Sequence, residues 1–366
     1  MKEKAAVLYE VNAPLKVEEI DLAEPKAGEV RVKILVGGFC HTDLHIMRGE
    51  FLTPLPAVLG HEGAGIVDAV GEGVTAVKLG DHVLMGVIVS CGTCVKCAAG
   101  QPYWCENAAQ PMMTGTLLDG TSRLSKDGRT INHVFCQSSF AEYVVVPETG
   151  VAKVREDVPL ENIVGLGCGF GTGLGSVINN PRIRVEPGAS VAVIGCGSVG
   201  LSAIMGAKLI GASKIVAIDL LQNKLAVARE VGATLTIDAS KENPVERILL
   251  DAGQVDFVFE CVGKPESISQ AFDMIKSSGS VVIVGAVPMG NKVSLDGFGF
   301  LLGKNVVGVP AGFMRPIVDM PRYVELYMDG KIPLDKLITG TFKLQEIHKA
   351  VEALEKGQAI KSVVLP

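Results

Sequence analysis

The stretch Val191-Ala192-Val193-Ile194-Gly195-Cys196-Gly197-Ser198-Val199-Gly200 reads as a short apolar strand running into a Gly-x-Gly-x-x-Gly turn. A helix-like stretch, Val199 to Leu209, follows it. In such a turn Gly195 makes the bend, Gly197 lets backbone approach a pyrophosphate, and Gly200 allows close helix–strand packing. The helix start at Ser198 and Val199 then offers N–H groups and a partial positive charge to phosphates. A lone motif of this kind is weak in a chain with 43 glycines. Here Asp219 ends the next expected strand, where a carboxylate would hold the adenosine ribose hydroxyls. Leu220 and Leu221 follow, with no Arg to receive a 2′-phosphate, so NAD is favoured over NADP. The plainer alternative has Asp219 only capping the next helix.

Working outward, apolar strands are expected at Ile215–Ile218, Thr234–Ile237, Val255–Phe259, Val281–Val284 and Val306–Val309. Helical patterns lie among them, as at Gln222–Glu230. That alternation implies an α/β unit with a doubly wound parallel sheet. The uncharged run Ser190–Ala207 is long enough for a membrane span, but its glycines fit a buried strand and helix better. The N-terminal part reads differently. Ala5–Tyr9, Lys16–Ile20, Val30–Val36, Gly65–Val70, His82–Val89 and Ala141–Val146 are β-branched runs separated by Pro and Gly, the pattern of a partly open antiparallel barrel. Helices are expected near Arg322–Met328 and over Leu344–Lys356. Ser362–Pro366 would be a strand closing the first domain. The expected division is 1–170 with 313–366, and 171–312.

Cys91, Cys94, Cys97 and Cys105 form a C-x2-C-x2-C-x7-C run that holds four of the nine cysteines. Four thiolates close a tetrahedral zinc site with no position left for chemistry, so this run argues for a structural metal. An iron–sulfur site fits less well, because the tight ferredoxin run brings its fourth cysteine after three residues, before a Pro. Disulfides suit short secreted chains, whereas this one has 366 residues and an odd cysteine count. The opening MKEKAAVLYEV has no apolar signal segment. With the free cysteines, that points to a reducing, cytoplasmic setting. Hydrophobic residues make up 48% of the chain, enough for a large core. Net charge is −6 with no basic stripe, so nucleic acid is not an expected partner, and no membrane association is expected either.

A second set of metal-ligating types is scattered. Cys40-His41-Thr42-Asp43-Leu44-His45 follows an expected strand, Gly60-His61-Glu62 comes about twenty residues later, and Cys168 sits in a Gly-rich segment. Two thiolates and an imidazole make a three-ligand zinc site with an open fourth position. Spacing alone does not reveal the set, and a lone buried Cys is ordinarily inert core. Taken together, however, the residues carry a resemblance. Gly60-His61-Glu62-x2-Gly65-x5-Gly71-x2-Val74 matches the signature of the zinc-containing alcohol dehydrogenases of the medium-chain dehydrogenase/reductase superfamily. The four-cysteine loop, Cys40-His41-Thr42-Asp43, the Cys168 segment and the Gly195 loop fall in the family's order across nearly the whole chain. In detail, Phe135-Cys-Gln-Ser-Ser-Phe-Ala-Glu-Tyr143 resembles the branch of aryl alcohol dehydrogenases and glutathione-dependent (class III) formaldehyde dehydrogenases.

The resemblance implies a GroES-like barrel as catalytic domain, a Rossmann coenzyme domain, two zinc ions per subunit, NAD, and a homodimer or homotetramer. Cys40, His61 and Cys168 would bind catalytic zinc, with Glu62 able to approach the metal and Asp43 orienting His61. Thr42 would pass the alcohol proton by way of the nicotinamide ribose to His45. His41 would sit near the pyrophosphate, Lys224 would join Asp219 at the ribose, and Lys361 would reach the pyrophosphate as a point charge. Val87, Val134, Phe135 and Ala286 would line the substrate pocket; their plainer reading is ordinary core. The implied reaction is hydride transfer between an apolar primary alcohol, aryl or allylic, and NAD. Three other readings stand beside it. A glutathione-dependent formaldehyde dehydrogenase would carry Arg where this chain has Ala109. A nicotinoprotein would retain its NAD. A non-catalytic protein on this fold would need a broken site, and every expected ligand is intact.

Overall fold

The computed structural model describes residues 1–51 and 53–366. Among the described residues ten strands come first: Lys2–Leu8 (β1), Lys16–Leu22 (β2), Glu29–Phe39 (β3), Ala57–Val58 (β4), Gly63–Val70 (β5), His82–Met85 (β6), Leu124–Lys126 (β7), Arg129–Ile131 (β8), Tyr143–Pro147 (β9) and Val151–Lys153 (β10). Six follow: Ser190–Ile194 (β11), Lys214–Asp219 (β12), Leu235–Asp238 (β13), Val255–Glu260 (β14), Ile275–Ile283 (β15) and Asn305–Gly308 (β16). Ile338–Lys343 (β17) and Lys361–Leu365 (β18) come last. The chain divides into two compact units.

The first unit comprises Met1–Cys168, Met314–Met328 and Ile338–Pro366. One sheet runs β4-β1-β2-β7-β8, and the other β10-β6-β5-β3-β18-β17 with β9 also on β3. Their facing apolar residues, among them Val7, Ile20, Val32, Val67 and Val144, share one core. That is the alternation expected of a barrel whose strands each bury one face. The hairpin β7–β8 escapes the sequence pattern, because its strands are short and its turn, Asp127-Gly128, takes positive φ at both residues. The closing strand is as expected: β18 pairs antiparallel with β3, Ser362 opposite Phe39.

The second unit comprises Gly169–Phe313 and Asp329–Leu337. Its sheet is wholly parallel, in the order β13-β12-β11-β14-β15-β16. The order reverses direction at β11, so the Gly195 turn after β11 lies at the switch point of a doubly wound sheet. Asp329–Leu337 differs from the expected division. It packs with this unit, where Lys336 Nζ pairs with Glu230 at 2.7 Å. The helix expected from Arg322 starts earlier, at Pro316, and carries Pro321 inside it. Pro316 suits a helix start, and Asp319 Oδ2 accepts from the Arg315 N–H at 2.8 Å. No helix of the described residues is long and apolar enough to cross a membrane.

Candidate active site and metal centres

Three strand ends of the first unit build the site. β3 ends at Phe39 and runs directly into Cys40; β5 begins at Gly63, just after His61 and Glu62; β18 begins at Lys361. Gly37 pairs with Gly63 across β3–β5, and Ser362 pairs with Phe39. Sheet register thus brings together residues such as Glu62 and Lys361, which are 299 positions apart in sequence. Cys168 arrives on a short turn tied to this sheet by the Val87 N–H donating to Gly167 O at 2.8 Å. A side chain at Gly167 would meet Met85 O at 2.2 Å, and one at Gly38 would meet Glu62 Oε2 at 2.0 Å. Both glycines are there for close approach.

The donor atoms of Cys40, His61, Glu62 and Cys168 all lie within 4.8 Å of one another. His61 and Glu62 are buried, while the two cysteines are partly exposed as residues. Asp43 is fully buried and organises it. Its Oδ1 lies 3.1 Å from His61 Nδ1 and accepts from Gly60 N–H at 3.1 Å, and its Oδ2 accepts from Cys40 N–H at 3.1 Å. With Nδ1 committed to Asp43, the lone pair of His61 falls on Nε2. That buried nitrogen has no hydrogen-bond partner. An orphaned imidazole nitrogen beside two sulfurs is what a metal ion would satisfy, and the residues fit one.

The four groups also shift one another's charge. A hydrogen bond with Cys168, helped by His61 and Lys361, holds the Cys40 thiol well below its ordinary range. The same bond with Cys40, together with burial, pushes Cys168 up. Burial opposes a charged His61, yet Asp43 and Cys40 hold it well above its ordinary value.

Lys361, expected to reach the pyrophosphate, has its own partners in the first unit. Its ammonium is buried and donates to both Glu62 oxygens, at 2.8 and 2.7 Å, and to Phe39 O at 3.3 Å. A buried cation needs a counter-charge, and Glu62 supplies it. Burial pushes the Glu62 carboxyl up, and Lys361 opposes that shift. Val134, expected on the pocket wall, is 2% exposed and packs in the core cluster with Leu44, Ile46 and Phe140. Phe135 is half-buried, in left-handed backbone (φ 51), with its ring centroid 5.1 Å from that of His61. Phe51, which sequence reading missed, stands 5.7 Å from Phe135. Val87 is buried, and Ala286 is exposed on the second unit.

The Thr42 hydroxyl lies 3.7 Å from the Cys40 sulfur. His41, Thr42 and His45 share the helix His41–Met47, on which His41 is exposed and His45 half-buried. His45 Nδ1 is 2.5 Å from Glu50 Oε2. No spacing pattern marked Glu50.

Cys91, Cys94, Cys97 and Cys105 also lie within 4.8 Å of one another, and all four are free thiols. Backbone N–H groups point at the sulfurs: Cys91 N to Cys105 Sγ at 3.2 Å, and Cys94 N to Cys91 Sγ at 3.3 Å. N–H groups of Thr93 and Cys94 lower Cys91 to about 5, so it favours the thiolate form that metals need. This is a second candidate metal centre.

In the second unit, Gly195 takes φ +91. A side chain at Gly200 would meet Gly195 O at 1.8 Å, whereas one at Gly197 would enter open space. Asp219 closes β12 beside this turn. Its Oδ2 accepts from Cys196 N–H at 2.6 Å and its Oδ1 from Leu221 N–H at 2.9 Å. Ser198 and Val199 start the following helix, and Lys224 lies half-buried on the next one. The open cradle at Gly197 fits the backbone approach of a dinucleotide.

Comparison with known proteins decides the family. Residues 26–156 match the alcohol dehydrogenase GroES-like domain, and residues 198–327 the zinc-binding dehydrogenase domain. An alcohol dehydrogenase zinc-binding domain protein from Burkholderia ambifaria is 37% identical, with a TM-score of 0.95, over 100% of this chain and 99% of that one. The chain belongs to the zinc-type medium-chain alcohol dehydrogenase/reductase superfamily. Benzyl alcohol dehydrogenase from Acinetobacter calcoaceticus is also 37% identical, with a TM-score of 0.94 over 100% of this chain and 99% of that one. Zinc-dependent alcohol dehydrogenase 2 from Streptococcus pneumonia is 30% identical, with a TM-score of 0.83 over 99% and 98%. The first unit is therefore a GroES-like barrel and the second a Rossmann-like coenzyme unit.

Proposed function

We propose that the chain is a zinc- and NAD-dependent alcohol dehydrogenase that interconverts apolar primary alcohols, aryl or allylic, with their aldehydes. The observation that carries this reading is the orphaned Nε2 of buried His61 among Cys40, Cys168 and Glu62. Zinc bound there supplies Lewis-acid polarisation of the alcohol oxygen, and NAD supplies the hydride acceptor. The chain's own residues do the rest. Cys40, His61 and Cys168 would hold the ion, and Asp43 fixes the tautomer and orientation of His61. Lys361 neutralises Glu62, so that an anionic ligand set is not further loaded with charge. Thr42 Oγ1 would accept the alcohol proton, and His45, with its side chain 32% exposed, would release it to water. Asp219 favours NAD, because a carboxylate repels a 2′-phosphate. The second centre, Cys91, Cys94, Cys97 and Cys105, would hold a structural zinc.

The substrate class rests on the rings of Phe135 and Phe51, on the resemblance to benzyl alcohol dehydrogenase, and on Ala109, which leaves a glutathione carboxylate without its Arg. The metal orders the oxygen, so further selectivity comes from burying carbon. At roughly 25 cal/mol per Å2, an aromatic ring outbids an ethyl group by more than about tenfold. Steady-state kcat/KM for benzyl or cinnamyl alcohol over ethanol should therefore be above about ten. A ratio near one, or formaldehyde oxidation that requires glutathione, overturns the substrate assignment.

A further inference from the structure

His45 forms a contact that the proposed reaction has not used. It sits in the last turn of the helix His41–Met47, and the chain then folds back, with Glu50 N–H donating to His45 O at 2.9 Å. This turn returns the Glu50 side chain to the imidazole, 2.5 Å from Nδ1. The neighbouring cation, Arg48, is turned away and paired with Glu355 at 2.8 Å. Glu50 thus faces His45 and not Arg48.

We infer that Glu50 is a positioning residue for the proton path, holding His45 by Nδ1 so that Nε2 is the atom that takes up the alcohol proton. A carboxylate only accepts, so the Nδ1 partner of Glu50 must be N–H, and the basic lone pair then lies on Nε2. When a proton arrives at Nε2, an N–H bond forms there and the ring becomes a cation. The carboxylate pairs with that cation until water removes the Nε2 proton and the neutral ring returns. No electron moves in this step. The arrangement has the logic of an acid–base histidine backed by a carboxylate, here at a partly exposed site. Both side chains are 32–41% exposed, so the gain is that of a screened pair.

This inference rests on the reading of His45 as the residue that releases the proton, and the experiment separates the two. The hydride-transfer rate is measured in single turnovers of the zinc- and NAD-loaded enzyme near neutral pH. The variants are Glu50→Gln, Glu50→Asp, His45→Gln and the double variant Glu50→Gln/His45→Gln. Glu50→Gln should slow the step about twofold to fivefold, with zinc content and NAD affinity unchanged. Glu50→Asp should recover most of that rate, because it restores the charge. In the His45→Gln background, Glu50→Gln should have no further effect. If His45→Gln itself keeps the wild-type rate, the reading of His45 fails. If His45→Gln is slow and Glu50→Gln is not, the role of Glu50 is overturned while that of His45 stands. An equal loss from Glu50→Gln in both backgrounds also overturns it, since Glu50 then acts elsewhere.

Discussion

Glu3 shows a carboxyl whose titration is dominated by burial. It lies on β1 at 2% exposure; Oε2 accepts from Tyr143 N–H at 2.7 Å, while Oε1 has no partner. Burial pushes its pKa up to about 8, against roughly 4.3 for a free glutamate. The folded state therefore keeps a proton that the unfolded chain releases. Stability from this group is complete below the unfolded value and is lost as pH rises through the folded one. Glu3→Gln keeps an acceptor for Tyr143 and removes the titration. Its gain over the parent should be small near pH 4.5 and should grow to about 2–4 kcal/mol by pH 9. Denaturant unfolding at the two pH values checks this, and a gap that does not change with pH contradicts it. Nothing in the sequence marked Glu3, because one acidic residue in an alternating strand reads as solvent-facing.

Among the elements, the turn after β11 separates two kinds of glycine. Gly200 has Gly195 O at 1.8 Å from a would-be side chain, so Gly200→Ala forces backbone apart. Gly197 meets nothing within 4 Å, and its φ of −80 suits any residue. Gly197→Ala should keep the melting temperature within about 2 °C and weaken NADH binding at least about tenfold, because the methyl group occupies the space left for phosphate. Gly200→Ala should lower the melting temperature as well, by about 5 °C or more. Thermal melts with NADH fluorescence titrations read both, and Gly197→Ala with undiminished binding removes the case for this cradle. The turn itself was legible, since strand, glycines and acid come in fixed order. The start of the helix Pro316–Met328 was not, because Pro321 reads locally as a boundary while the cap formed by Asp319 is a tertiary detail.

At the scale of the whole molecule, the two candidate metal centres would serve different ends. The four-cysteine loop staples a segment with little apolar core of its own, whereas the Cys40 set joins three strand ends that the sheet already holds. Cys94→Ser should release one zinc per chain and cost at least about 2 kcal/mol of stability. Cys40→Ser should release the other zinc, leave the fold, and abolish alcohol oxidation. Elemental analysis beside thermal melts and activity tests this, and a fully loaded parent with one zinc per chain refutes it.

By itself, the sequence determined whatever depends on neighbours in the chain. Strand and helix periodicity, the glycine turn before Asp219 and the close-set cysteines are written within short windows, because local backbone geometry and chelation both act over a few residues. The scattered set Cys40, His61 and Cys168 was legible only through resemblance. The union of β3, β5 and β18, the pairing of Lys361 with Glu62, and the fold-back of Glu50 onto His45 belong to the tertiary structure. Sheet register decides which distant side chains share a buried site. Once they share it, the cost of an unpaired charge decides which of them bind each other.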